Sequence, residues 1–193
     1  MTNAEHSEQT RAALVKVARK VFAEKGYAGV GTEDLARAAK LTRGAVYHHY
    51  QGKQALFEAV VRELMQQMHG EMREAARGSK DVWKGLKRGV SAFLASSERA
   101  EIQRILFVDA PSVLGWQRWR TLEAEYGLGL LRDALAAAIE GGVIERQPVM
   151  PLAHLLLGAF TEAAMLIGHA AEPATTRRAV EQALEALLEG LRR

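Results

Sequence analysis

Apolar residues recur along this chain at helical spacing from near one end to the other. Leu14, Val17, Ala18, Val21 and Phe22 fall at i, i+3, i+4, i+7 and i+8, a one-sided stripe that predicts a helix over about 7–25. Gly26 closes it, as a residue at home in the left-handed conformation past a helix end. Thr32 reads as an N-cap, with Glu33 and Asp34 in the first turn of a helix over 33–39 that turns Leu35 and Ala36 inward. Thr42 reads as a second N-cap, opening a helix that carries Arg43 to His49, with Val46 and Tyr50 packed inward together. Lys53 opens a fourth helix through Leu56, Phe57, Val60, Val61, Leu64, Met65 and Met68, which bends or ends its apolar face at Gly70 and can continue to Arg77.

The later pattern is similar. Ser79 caps a fifth helix through Val82, Trp83, Leu86, Val90, Phe93 and Leu94. Ile102, Ile105, Leu106 and Val108 make a short sixth, and Asp109-Ala110-Pro111-Ser112 reads as a turn. A long seventh helix runs from Trp116 to Ile139, with Gly127 and Gly129 in its middle marking a kink or the close approach of another group. Gly141-Gly142 stops it. From Pro151 to about His169 the chain is apolar nearly all round, and from 175 to 191 Val180, Ala183, Leu184, Leu187, Leu188 and Leu191 form one stripe. Strand-like alternation is nowhere sustained, so the fold class is all-α.

A helix with no polar face needs cover on several sides, and the last helix supplies only one. The economical arrangement sets the last two helices against their copies across a two-fold axis, a four-helix interface. Candidate contacts there are Leu156, Phe160, Leu184, Leu187 and Leu188. The alternative is that these helices only close the core of a single protomer.

The stretch from Thr32 to Lys53 organises the rest. Its second helix keeps Arg43, Gly44, Ala45, Tyr47 and His48 mostly outward, with His49 beside them. Small residues, one arginine and ring side chains suit a helix pushed into a groove. Gly44 and Ala45 let a backbone come close, and Arg43 can fork onto a guanine edge. Tyr47, His48 and the hydroxyls of Thr32 and Thr42 can bond phosphate oxygens. Lys53, at a helix N-terminus just beyond, reads as a phosphate clamp. This is the geometry expected of a helix-turn-helix whose second helix reads the major groove.

The ordered set Arg11…Leu14…Ala18…Val21-Phe22…Glu24-Lys25-Gly26-Tyr27, Thr32…Asp34-Leu35-Ala36…Ala39, Leu41-Thr42-Arg43-Gly44-Ala45-Val46-Tyr47-His48-His49-Tyr50 and Lys53…Leu56 resembles the DNA-binding domain of the TetR family of bacterial transcriptional repressors. The resemblance covers the first quarter to third of the chain. It implies an N-terminal three-helix DNA-binding domain, placed at 1–52, and a larger helical effector-binding and dimerisation domain, placed at 53–193. It also implies a homodimer formed by the last two helices, a pseudo-palindromic operator in double-stranded DNA and a small-molecule effector. The segment from Arg104 to Gly115 looks like one that recurs in a subset of these regulators. One position departs from the pattern: the family usually has glycine where Lys40 stands. Either the turn differs there, or lysine takes a left-handed conformation at a cost on the order of 1 kcal/mol.

Charge agrees with a polyanion-binding head. Residues 1–53 hold nine Lys/Arg against five Asp/Glu, whereas the remaining 140 hold 17 against 18. A hydrophobic fraction of 48% and mean hydropathy of −0.13 describe a globular chain. No apolar run reaches the roughly 18 residues of a membrane span. Met1 to Glu8 is polar and no secretory signal, and cysteine is absent, so the expected compartment is the cytoplasm. His69, His154 and His169 are isolated along the chain, and neither a metal-binding spacing nor a glycine-rich phosphate loop occurs. No cofactor, metal or catalytic set is expected. Met65, Trp83, Phe107, Trp116, Trp119, Tyr126, His154, Phe160 and Glu162 are candidates to line an effector pocket for a mainly apolar molecule, set against plain core packing for each. The rival reading is a helical small-molecule binding protein with a vestigial DNA-binding head, favoured only by Lys40.

Overall fold

The structure, a computed structural model, describes residues 3–192. The reading of Met1 to Glu8 falls in part outside the described residues. Nine helices in chain order make up the described chain, with an isolated bridge between Ile144 and Arg192. They are α1 (Asn3–Lys25), α2 (Thr32–Ala39), α3 (Arg43–His49), α4 (Lys53–Ala76), α5 (Val82–Ser97), α6 (100–114), α7 (116–140), α8 (Val149–Gly168) and α9 (Pro173–Glu189). The chain folds as two compact units, one of residues up to 64 with 100–119, the other of 65–99 with 120–193.

The first unit has a core of Leu14, Ala18, Phe22, Val30, Leu35, Val46, Leu56, Phe57 and Val60, each fully buried or nearly so. Phe57 meets Phe22 edge-on at 5.1 Å and Tyr27 at 4.9 Å. Charged links join its helices. The Arg19 guanidinium on α1 bonds both oxygens of Glu101 on α6 and, at 3.3 Å, Glu63 on α4. The Glu101 bond is the main cause that holds Arg19 above its ordinary basicity. Arg118 Nη2 donates to Glu58 Oε1 at 2.5 Å, and with Arg62 it lowers the Glu58 pKa.

Helix α6 corrects the expected turn. It is α-helical over Ala100–Ile102, widens to a π-helix over Gln103–Asp109 and resumes as Ala110–Leu114. Pro111 sits at the start of that resumed segment, where a missing N–H is tolerated. The break falls instead at Gly115, whose φ is 81°.

In the second unit α5 is capped by Asp81, whose Oδ1 accepts from the Trp83 and Lys84 amides at 2.9 and 3.1 Å. Ser79, the expected cap, donates instead to the Asp81 carbonyl at 2.8 Å. A π-helical stretch, Ala124–Leu128, interrupts α7 at the predicted glycines. There a Cβ on Gly127 would stand 3.1 Å from Leu157 Cδ1, so α7 and α8 come close at a residue without a side chain. Trp83, Leu94, Leu135, Ala138, Ala153, Leu156, Phe160 and Leu188 form the core. Glu71 joins α4 to the end of α5, accepting from Ser96 and from both arms of Arg99 at 3.0 Å.

Helix α8 overturns the expectation about long apolar runs. At 20 residues, with an 18-residue window of mean hydropathy 1.5, it is long and apolar enough to cross a membrane. One face of it has cover, since Ala153, Leu156, Leu157, Phe160, Ala163, Ala164 and Ile167 are buried, whereas Met150, Leu155 and Leu166 are exposed. The length and composition of a core helix pass the same test as those of a span.

Candidate nucleic-acid interface

Backbone capping sets the geometry of the helix-turn-helix. Gly31, not Thr32, is the N-cap of α2, and its N–H is taken by Asp34 Oδ2 at 2.9 Å, one half of a capping box. Thr32 becomes the first helical residue, because the extended residue that flanks the helix lies one position earlier. At the other end Lys40 is left-handed, with φ 56° and ψ 37°. The Leu41 N–H reaches the Ala36 carbonyl at 2.9 Å and the Lys40 N–H that of Arg37 at 3.2 Å, the two bonds of a Schellman turn. Thr42 caps α3 as expected, its hydroxyl accepting from the Ala45 amide at 3.1 Å.

Helix α3 has one anchor and one open face. Val46 is fully buried. Arg43, Gly44, Tyr47 and His48 are exposed, with Ala45 and His49 half-buried. Tyr47 keeps 65% of its surface in solvent. The rings of His48 and His49 meet edge-on at 5.6 Å. Arg43 lies 3.7 Å from Glu33, but both side chains are about three-quarters exposed, so the pair contributes little and is easily exchanged for another partner. Nothing crowds Gly44: the nearest atom to a Cβ built there is Thr42 Oγ1 at 3.9 Å. Glycine in a helix costs up to about 1 kcal/mol against alanine. No neighbour inside the protein accounts for that cost.

Lys53 opens α4, as expected, but its ammonium is turned into the protein. It donates to the carbonyls of Tyr27 at 3.0 Å and Val30 at 2.9 Å, and lies 3.8 Å from the centre of the Tyr27 ring. The Arg11 guanidinium lies over the ring of Tyr50, 4.9 Å from its centre.

The remaining candidates scatter. Phe107, Trp116 and Trp119 belong to the first unit; Met65, Trp83, Tyr126, His154, Phe160 and Glu162 belong to the second. Phe107, Trp119, Met65, Trp83 and Phe160 are buried, whereas Trp116, His154 and Glu162 are exposed. Trp119 is wholly buried, and its indole N–H has no hydrogen-bond acceptor. Trp83, by contrast, donates its own to Glu189 at 3.2 Å. A polar cluster escaped the sequence reading. Glu123, 9% exposed, accepts from the Thr161 hydroxyl at 2.9 Å and from Arg120 at 2.6 Å, and burial raises its pKa despite both partners. Among the described residues no group of three or more His, Asp and Glu is arranged to hold a metal.

Of the five leucine and phenylalanine contacts expected between copies, Leu156, Phe160, Leu184 and Leu188 are buried within the protomer. Leu187 is exposed, as are Leu155 and Leu166. Periodicity locates a stripe but does not say which of two apolar faces of one helix turns outward.

Comparison with known proteins agrees with this geometry. Residues 14–60 match the model for bacterial regulatory proteins of the tetR family, and residues 83–191 match the tetracyclin repressor-like C-terminal domain. The chain belongs to the TetR family. A TetR-family transcriptional regulator from Pectobacterium atrosepticum superposes with a TM-score of 0.89 at 35% identity, covering 100% of this chain and 98% of that one. The HTH-type transcriptional repressor AcnR of Corynebacterium efficiens is 28% identical over 148 residues, 77% of this chain and 76% of its own length. The transposon Tn10 TetC protein of Escherichia coli is 24% identical over 169 residues, 86% of this chain and 85% of its own. The TetR-family chain described here is thus a DNA-binding transcriptional regulator with an effector-binding C-terminal domain, and relatives of this kind are regulators, not enzymes.

Proposed function

We propose that this TetR-family chain is a cytoplasmic homodimeric repressor. The dimer binds a pseudo-palindromic operator through two copies of α3 and changes its affinity when a small molecule occupies the C-terminal domain, residues 53–193. The observation that carries the DNA reading is the outer face of α3. Gly44 has open space around it and a helical cost that nothing inside the protein explains, and it stands beside exposed Arg43, Tyr47 and His48. A face stripped to the backbone lets a groove wall approach. Arg43 would read a base edge, while Thr42, Tyr47, His48 and His49 would bond phosphates or bases, with Thr32 and Ala45 at the margin.

A set of exposed apolar residues on α8 and α9 supports the dimer. Leu155 is 73% exposed and Leu166 51% on α8, and Leu187 is 47% exposed on α9, with Ala179, Ala183 and Ala186 alongside at helical spacing. Two α-helices pairing with their copies would cover these residues. The effector reading rests on Trp119. An indole N–H buried without an acceptor is destabilising by about 1–3 kcal/mol, and a ligand with a carbonyl, hydroxyl or ring-nitrogen acceptor would relieve it. The expected effector is therefore mainly apolar with at least one acceptor.

The test is selection of bound sequences from random duplex DNA. An enriched palindrome with half-sites about one helical turn apart supports the dimeric reader. On that site Arg43→Ala is expected to cost about 1–3 kcal/mol and relax preference at one position per half-site. Equal loss on every sequence refutes Arg43 as a reader.

A further inference from the structure

Between α1 and α2 runs a short loop, Gly26 to Gly31, that fixes where the helix-turn-helix begins. It is gripped from two sides, within one compact unit. From α4, the Lys53 ammonium donates to the carbonyls at both ends of the loop, Tyr27 and Val30, and rests on the Tyr27 ring. An ammonium has three N–H donors. Two of them are taken by carbonyls and the charge rests on an aromatic face, so the ammonium is engaged within the protein. From the π-helical stretch of α6, Asp109 Oδ2 accepts the Tyr27 N–H at 2.8 Å. The Arg104 guanidinium presses on the Gly26 backbone, where a Cβ would lie 2.5 Å from its Nη2. Every polar atom of the Tyr27 backbone is thus held by a side chain from outside the loop. The loop runs directly into the Gly31 cap and hence into α2 and α3.

We infer that Lys53 and Asp109 are positioning residues for DNA reading: they fix the Tyr27–Val30 loop and through it the recognition helix, and neither touches DNA. This rests on the reading of α3 as the DNA-contacting helix. It also gives Lys53, a residue whose place and charge suit a phosphate clamp, a different task. The two roles predict opposite results. Asp109 carries negative charge, so electrostatics alone would make its removal favour DNA binding. A positioning role makes its removal weaken binding.

The experiment uses the full chain on the palindrome that it selects, with affinity followed against salt for Lys53→Met, Asp109→Ala and Asp109→Asn. Expected are losses of about tenfold for the first two, the contribution of one charge-assisted hydrogen bond, with an unchanged salt slope. Asp109→Asn, which keeps an acceptor for the Tyr27 N–H, should recover most of the affinity. A phosphate clamp would lower the salt slope by about 0.9 for each lysine lost, near 2 per dimer, and that result overturns the assignment of Lys53. Unchanged or tighter binding by Asp109→Ala overturns the assignment of Asp109. Backbone amide exchange, measured without DNA, provides an independent readout. The Tyr27 amide should exchange faster in Asp109→Ala, and loop amides faster in Lys53→Met; unaltered exchange refutes the grip. If wild type selects no palindrome, the reading of α3 fails, and amide exchange alone then decides whether the loop is held as described.

Discussion

Lys40→Gly should stabilise this protein although it removes a side chain and adds none. Lys40 closes α2 at φ 56° and ψ 37°, a conformation in which Cβ crowds the following carbonyl. For an L-residue other than glycine this costs roughly 1–2 kcal/mol. The Schellman bonds from the Lys40 and Leu41 amides are made by backbone atoms and survive the change. The side chain is exposed, so little packing is lost. Glycine gives back part of the gain because it frees the unfolded chain, by about 0.5–1 kcal/mol. The expected net is about 0.5–1 kcal/mol of added stability, a rise of roughly 1–4 °C in melting temperature for a chain of this length. Lys40→Ala is the proper reference, since it loses the same charge and keeps Cβ; Lys40→Val should be worse than either, because a β-branched residue rarely tolerates positive φ. Thermal and urea unfolding of the three variants without DNA decide the matter. If Lys40→Gly is no more stable than Lys40→Ala, the left-handed strain argument is wrong.

Gly26, at φ 69°, is the counterpart at the end of α1, and Gly26→Ala should destabilise by at least about 1–2 kcal/mol while displacing the Arg104 guanidinium; a neutral result in urea unfolding would refute the close approach. Leu155→Asp or Leu187→Asp should leave folding intact and weaken dimerisation by about 3–6 kcal/mol, since each change removes two buried leucines from a symmetric interface; sedimentation at micromolar protein that still shows only dimer would place the interface elsewhere. Glu123 has a folded pKa raised above its unfolded value of about 4.3, so the folded state holds its proton more tightly and the wild type loses stability as pH rises from about 4 through the folded pKa. Glu123→Gln removes that loss. The variant should gain on wild type with rising pH across this window, and parallel stability curves would refute the burial argument.

The architecture was largely legible because helical spacing and glycine punctuation act locally. All nine helices stand near their expected places, and the glycines at 26, 115 and 142 take positive φ, the first and last of them where stops were read. What was missed depends on hydrogen bonds at one-residue resolution. Periodicity does not distinguish Gly31 from Thr32 as a cap, or Asp81 from Ser79, because both members of each pair precede the same apolar stripe. Nor does it show the two π-helical stretches, since a single extra residue per turn shifts a stripe without erasing it. The turn expected at Asp109–Ser112 failed for this reason: a proline was read as an interruption where it opens a resumed helical segment.

The site divides along the same line. The exposure of Arg43, Gly44, Tyr47 and His48, the residues proposed to face DNA, was placed from sequence, because an amphipathic helix with one buried anchor leaves few choices about its outer face. Lys53 was found at its place but not in its contacts, for sequence gives the position of an ammonium and not the carbonyls within its reach. Asp109 was read as part of a turn, and its partner was not found. It lies 82 residues from Tyr27, and no local pattern marks an acid whose partner is a backbone amide. The proposed DNA-reading face is therefore a local property of α3, while the placement inferred for it rests on contacts made by chain far downstream. The first is open to sequence; the second is set by the fold, and is where changes remote from α3 would alter DNA binding without altering which bases are read.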